Sequence, residues 1–199
     1  MPTWDERYAG ESFLFGTEPN VFLTRHKERL PTHGTALAVA DGEGRNGVWL
    51  AEQGLDVLAV DGSEVALAKS RKLAAKRGVA MHYEHADLSA WDFGQQRFDV
   101  IAAIFIQFAE PDFRARLFAS MVAALKPAGL LLLEGYRPEQ LAYGTGGPPQ
   151  AENMYTEPML REAFADLTIE HLASYDEELH EGRHEGMSAL IDLVARKPE

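Results

Sequence analysis

The chain has 199 residues, no cysteine and a formal net charge of −12. The missing cysteine excludes disulfides, cysteine metal sites and cysteine nucleophiles, and the acidic balance argues against a nucleic-acid backbone, which needs a basic surface. With 46% hydrophobic residues and no low-complexity tract, the length suits one domain over residues 1–199 with a sizeable core. No apolar run approaches the roughly 18–20 residues of a membrane span, and MPTWDERYAG lacks a basic region followed by an apolar one. The expectation is therefore a cytoplasmic protein with no secretory leader and no membrane partner.

Taken in order, residues 1–30 read as an aromatic arm and a helix. Trp4, Arg7, Tyr8, Phe13 and Phe15 make up either a lid or a simple cover for the core. Pro19 to Leu30 is the predicted helix, with Pro in its first turn. Ala36 to Ala40 is a short apolar run without alternation, as in a strand buried on both faces. Gly42, Gly44 and Gly47 punctuate a turn into a helix that ends at Gly54, and Leu55 to Val60 is the next strand, with Asp61 at its end. Ser63 is placed to cap a helix running to Gly78. Val79 to Glu84 reads as a strand that leads into the loop His85 to Leu88, and Asp99 to Phe105 as another buried strand. Pro111 to Leu125 has helical spacing, Lys126 to Gly129 is a turn, and Leu130 to Glu134 is a fifth buried strand. Residues 137–153 are rich in Gly and Pro and follow a strand at its ligand-binding end, which suits a substrate lid. Glu157 to Phe164 is a short helix. Thr168 to Leu179 and Met187 to Arg196 are strands joined by the charged turn HEGRHEG.

This alternation predicts an α/β fold: a Rossmann-like, doubly wound, mostly parallel sheet closed by a C-terminal antiparallel hairpin. Ligands of such sheets bind beyond the carboxyl ends of the strands. The residues at those ends are Asp41 to Gly44, Asp61 to Ser63, Asp87 to Leu88, Ile104 to Phe108 and Glu134 to Tyr136.

Gly42 to Gly47 (GEGRNG) matches the G-x-G-x-x-G fingerprint, whose literal reading is a dinucleotide with its pyrophosphate on a helix N-terminus. Asp41 and Glu43 oppose that reading. Two carboxylates about 5 Å from a pyrophosphate cost a few kcal/mol even at an effective dielectric near 20, and Arg45 offsets only part. An acidic loop suits S-adenosylmethionine, which has no phosphate and carries an ammonium and a sulfonium. Asp61 would then accept hydrogen bonds from both ribose hydroxyls, and Asp87 from the adenine amine, with Leu88 beside the ring.

The ordered set ALAVADGEGRNGVWLAEQG, LDVLAVDGS, HADL, FDVIAAIF and LKPAGLLLLEGY resembles the class I S-adenosylmethionine-dependent methyltransferases. It is similar to their small stand-alone branch of tellurite-resistance type, and the resemblance runs from WDERY to the final hairpin. It implies that Asp41, Gly42, Glu43, Gly44 and Asn46 of the glycine loop meet the cofactor. It implies the same for Asp61, Gly62 and Ser63, for Asp87 and Leu88, and for Ile104 and Phe105. WDERY resembles a segment that closes over the cofactor, which places Trp4, Arg7 and Tyr8 near its methionine end. The product would be S-adenosylhomocysteine.

On the acceptor side, FIQF after the fourth strand is not the Asn/Asp-Pro-Pro-aromatic sequence used on planar nitrogens, and the missing cysteine closes covalent pyrimidine methylation. A small molecule remains, such as a thiol or a selenium or tellurium anion. Gln107, Glu134, Tyr136, Tyr143 and His171 are the substrate-side candidates. No metal is expected, because the pair His180 and His184 falls in the predicted turn. Two other readings stay open: an NAD(P)- or flavin-dependent oxidoreductase, and a non-catalytic cofactor-binding protein on the same fold.

Overall fold

In a computed structural model, which describes residues 3–199, the apolar runs form the middle of a seven-stranded sheet. The strands are β1 (Thr35–Val39), β2 (Asp56–Asp61), β3 (His82–His85), β4 (Phe98–Ile104), β5 (Leu125–Tyr136), β6 (Thr168–Glu181) and β7 (His184–Arg196). Their spatial order is β3-β2-β1-β4-β5-β7-β6. Pairing is parallel from β3 to β5, and β7 runs antiparallel to both its neighbours. The fold is thus the expected α/β sheet with a C-terminal antiparallel pair. The helices are α1 (Trp4–Tyr8), α2 (Val21–Arg25), α3 (Arg45–Glu52), α4 (Glu64–Arg77), α5 (Pro111–Ala124), α6 (Gln140–Tyr143) and α7 (Glu157–Ala163).

Both faces of the sheet are buried, as its uninterrupted apolar strands require. Leu37, Val39, Ile101, Leu131 and Leu133 pack with Phe118, Met121 and Phe164 from the α5 and α7 side. Ala36, Ala38, Val100, Leu130 and Leu132 face the other way, onto Phe22, Trp49 and Leu50 of α2 and α3. The period-2 alternation of side chains therefore feeds two cores from one set of strands.

Four boundaries differ from the sequence expectation. The predicted helix from Pro19 is only Val21–Arg25 followed by a 3-10 turn at Lys27–Arg29, because Asn20 takes the cap position and accepts from Leu23 N at 3.3 Å. The third strand starts at His82 rather than Val79, since its partners are only Leu58 to Asp61 of β2. The predicted turn Lys126 to Gly129 lies inside β5 as an irregularity: Phe98 pairs with Leu125, the next rung is Val100 with Leu130, and Ala128 has φ +60°. The hairpin extends to Glu181 and His184, leaving Gly182 and Arg183 as a two-residue turn with φ +62° at the glycine.

The winding reverses between β1 and β4, which opens the crevice that α/β sheets use for ligands. Entry into α3 depends on Gly44, with φ +91° at the helix cap. A Cβ there would sit 2.1 Å from Ser70 Oγ and 2.9 Å from Ser70 Cα on α4. Gly44→Ala is expected to destabilise the protein by about 2–4 kcal/mol, read as a lower urea midpoint. Adding Ser70→Gly should recover only part, since the positive φ and the backbone contact remain.

Candidate functional site

A cavity of about 1100 Å³ opens at the carboxyl ends of the strands, between the glycine loop, the N-terminal arm, residues 146–150 and the hairpin tip. The two central strands leave the sheet abruptly there. Ala40 after β1 and Phe105 after β4 adopt φ +49° and +54°, in the left-handed region that non-glycine residues rarely occupy, and both line the cavity.

In the glycine loop the carboxylates of Asp41 and Glu43 are engaged by protein donors. Asp41 Oδ1 accepts from Gly47 N at 2.9 Å and so caps α3. Its Oδ2 is buried without a partner, and burial pushes this carboxyl up to about 7. Glu43 accepts from Leu14 N at 2.6 Å and from Lys69 Nζ at 2.7 Å, which ties the arm and α4 to the loop. Asp41 therefore occupies the amino end of α3, where a pyrophosphate would dock.

At the end of β2, Asp61 is 7% exposed. Its Oδ2 accepts from Gly42 N and its Oδ1 from Ser63 N, each at 2.8 Å. Burial raises its pKa, and the two backbone donors oppose that shift. Ser63 Oγ accepts from Ala66 N at 3.1 Å, as the expected helix cap, and donates to Asp5 Oδ1 at 2.5 Å. That last bond docks α1 on the strand end. Tyr8 is buried against the same place: a Cβ on Gly42 would lie 2.9 Å from its hydroxyl. Burial, then Asp61 and Glu43, raise the Tyr8 pKa, so it stays a neutral phenol. Trp4 stacks on Tyr8 at 5.6 Å, and the Arg7 guanidinium lies 4.1 Å from the Trp4 ring centre. Beyond β3, Asp87 is exposed and accepts from Ser89 N, which lowers its pKa, while Leu88 is buried.

The opposite side is aromatic and basic. His184 lies between Phe15 at 4.6 Å and Phe105 at 4.3 Å, with Nδ1 2.6 Å from the Tyr136 hydroxyl. Burial and then Arg45 push its pKa down to about 3, so the imidazole is neutral. Arg45 and Arg183 also line this side. Gln107 faces the cavity, but its amide donates to Tyr136 O at 2.8 Å and accepts from Tyr136 N at 2.7 Å, extending the sheet as a third strand would.

Of the sequence-derived candidates, Trp4, Arg7, Tyr8, Asp41, Gly42, Glu43, Asn46, Asp61, Gly62, Asp87, Leu88, Ile104, Phe105, Gln107 and Tyr136 meet at the cavity wall. Five others lie elsewhere. Gly44 packs against Ser70. Ser63 is fully buried beneath Asp5. Glu134 sits one step below the end of β5, covered by Asn20. Tyr143 ends α6 with its ring exposed. His171 lies near the start of β6, towards the opposite end of the sheet, against His26 at 4.8 Å. Arg45, Arg183 and His184 are not among the sequence-derived cofactor or substrate residues, and Phe15 enters there only as part of the aromatic arm. The charged HEGRHEG segment carries no alternation that marks that side.

A family model described as a methyltransferase domain matches residues 36–129. The glycine/sarcosine N-methyltransferase of Aphanothece halophytica is 28% identical over 188 residues, covering 85% of this chain and 69% of that protein. The crystal structure of TehB from Haemophilus influenzae superposes with a TM-score of 0.72 at 20% identity, over 88% of this chain and 61% of that one. The N-methyltransferase NodS from Bradyrhizobium japonicum, in complex with S-adenosylhomocysteine, gives 0.66 at 15% identity over 90% and 89%. Other curated relatives match over 34% to 47% of their own length. Residues 36–129 thus match a methyltransferase domain, and the chain shares its fold with S-adenosylmethionine-dependent methyltransferases. S-adenosylmethionine is the cofactor that the methyltransferase-domain match and the S-adenosylhomocysteine-bound neighbour support. Among the described residues, no helix is long and apolar enough to cross a membrane.

The raised Asp41 pKa sets a pH dependence. A carboxyl at about 7 in the folded state, against 3.8 in the unfolded chain, favours folding fully below about pH 4 and loses that contribution as pH rises to 7. An asparagine at this position keeps an acceptor for Gly47 N without the charge. Asp41→Asn should therefore stabilise the ligand-free protein above pH 7, by up to about 4 kcal/mol, and change little near pH 4. Thermal melts across this range check the sign.

Proposed function

We propose that this chain transfers the methyl group of S-adenosylmethionine to a small acceptor that carries negative charge, by direct in-line displacement inside the cavity. One observation carries the reading. The cavity of about 1100 Å³ is lined, on the side opposite Tyr8 and Asp61, by Arg45 and Arg183 in a chain whose net charge is −12. That volume suits a nucleoside cofactor with a small partner, small-ligand sites being roughly 300–1,000 Å³. The acidic surface elsewhere disfavours a polyanionic macromolecule.

The residues present fit the cofactor. Asp61, with each oxygen already oriented by a backbone N–H, has lone pairs left for two adjacent hydroxyls. Leu88 and Ile104 supply apolar walls for a flat ring, and Asp87 an acceptor for its amine. Tyr8, Trp4 and Phe15 place aromatic faces where a cation is favourable. The Asp41 cap on α3 leaves no cradle for a phosphate, which disfavours the oxidoreductase reading.

When bound, S-adenosylmethionine supplies an electrophilic methyl group on a positively charged sulfur. The chain's part is alignment and exclusion of water. Arg183 holds the anionic group of the acceptor, and Arg45, fixed by Glu181 at 2.7 Å, presents the rest of its guanidinium beside it. The arm and residues 137–153 close the space, and His184 presents a neutral imidazole to an acceptor that must lose a proton. The Aphanothece halophytica relative is named for glycine and sarcosine, small molecules with a carboxylate beside the nucleophile.

Two substitutions separate the halves of the site. Asp61→Ala should weaken S-adenosylhomocysteine binding about a hundredfold by calorimetry, as expected for two lost hydrogen bonds to a charged group. Equal affinity in the variant, or tight NADH binding by the wild type, would overturn the cofactor assignment. Arg183→Ala should raise KM for an anionic acceptor about tenfold with S-adenosylhomocysteine affinity unchanged. The assay is transfer of labelled methyl across glycine, sarcosine, simple thiols and tellurite. Turnover confined to neutral acceptors and untouched by Arg183→Ala would refute the anionic assignment.

A further inference from the structure

Beneath the cavity, Glu134 of β5 and Asp192 of β7 are register partners on neighbouring strands, 2% and 3% exposed. Few donors reach them. Asn20 Nδ2 donates to Glu134 Oε2 at 2.5 Å, and the Tyr175 hydroxyl lies 2.9 Å from Asp192 Oδ2 and 3.5 Å from Glu134 Oε1. Asp192 Oδ1 has no partner among the described residues. A hydroxyl carries one proton, so Tyr175 serves only one of the two carboxyl groups at a time. Two buried carboxylates at adjacent positions, short of donors, are satisfied when one is protonated and donates to the other.

The pair belongs to a network that reaches the cavity wall. Asn20 also lies 3.3 Å from Glu181 Oε2, and its backbone N donates to Asn46 Oδ1 at 2.9 Å. Glu181 accepts from Val21 N at 3.0 Å and from Arg45 Nη1 at 2.7 Å. Glu134 and Glu181 thus share one buried guanidinium, with Asp192 beside Glu134. The other titratable or charged groups facing the pair are Tyr136, Tyr175, Glu177 and Arg25.

We propose that Glu134 and Asp192 hold one proton between them, and that this proton positions Arg45 and the arm at the cavity. With the proton in place, Glu181 and Asn20 clamp α2 and the first turn of α3 against the sheet. Without it, a further buried negative charge repels Glu181 and draws Arg45 inward, which loosens the arm at Asn20 and Val21. The consequence for Arg45 rests on the reading that it serves an anionic ligand; the consequence for the arm does not. Burial, first, raises both groups; Asp192 and Glu181 add to the rise at Glu134, while Asp192 reaches about 7 against the lowering hydrogen bonds with Tyr175 and Glu134. Raised values favour the clamped form at low pH, and the clamp is lost as pH rises through them.

The test uses infrared spectroscopy, hydrogen exchange and S-adenosylhomocysteine titration on the full chain at pH about 6 and about 9. Asp41, itself raised to about 7, contributes a protonated-carboxyl band at the lower pH in every variant; the wild type should show a further component that the difference spectrum against the Glu134→Gln/Asp192→Asn double variant isolates. Corrected for intrinsic rates, exchange at residues 20–25 should rise about tenfold at the higher pH. The glutamine introduced by Glu134→Gln mimics the protonated acid, because its amide still accepts from Asn20 and donates to Asp192. In that variant, arm protection should therefore be independent of pH, and Asp192→Asn provides the same check should the first variant fold poorly. Identical protonated-carboxyl bands in the wild type and the double variant, or an equal pH dependence of arm exchange in the Gln or Asn variant, overturns the proposal. Absence of S-adenosylhomocysteine binding at both pH values would instead sink the methyl-transfer reading, while the band and the arm exchange still decide the pair.

Discussion

The hydrogen bond from Gly47 N to Asp41 Oδ1 is the constraint on which the rest of the site depends. It caps α3 from the residue just beyond the sheet, so the chain must turn within Gly42 to Gly44. That tight turn brings the Gly42 backbone onto the Asp61 carboxylate and Gly44 onto Ser70 of α4. It also occupies the helix end that a phosphate would seek. One buried carboxyl therefore shapes the loop, orients the residue that faces the cavity and narrows the class of ligand. It does so at a cost in stability, since burial disfavours its charged form.

The arm is held by polar bonds to the same strand ends. Asp5 meets Ser63, Leu14 N meets Glu43, and Asn20 meets Glu134 and Asn46. Its aromatics then have somewhere to go: Tyr8 above Gly42, Phe15 against His184. The acidic residues at the strand ends thus act largely as anchors for the roof. Among the acids lining the cavity, Asp61 combines burial with a carboxylate whose two oxygens are aligned by backbone donors.

The fold was legible because its signals are local. Short apolar runs bounded by glycines specify buried strands, and Ser63 marks a helix start by its own hydroxyl. Errors arose where a boundary depends on a partner strand, as at His82 and Leu125, or on which of two residues caps a helix, as at Asn20. The HEGRHEG segment reads as a solvated turn from its charge. The hairpin continues through it because β6 and β7 keep pairing to Glu181 and His184.

By itself, the sequence determined the alternating α/β architecture, the strand ends on which a ligand site forms, and Asp61 as the carboxylate there. It also pointed away from a dinucleotide, through the acidity of the glycine loop. The tertiary structure alone decided where those acids aim: Asp41 into α3, Glu43 onto Lys69 and Leu14. It alone brought Phe15, Arg45, Arg183 and His184 to one wall and buried Glu134 beside Asp192. The reason is physical. Composition and spacing set which elements form and the net charge they carry, whereas the direction of a carboxylate depends on the nearest unsatisfied donor. That donor comes from a segment distant in sequence.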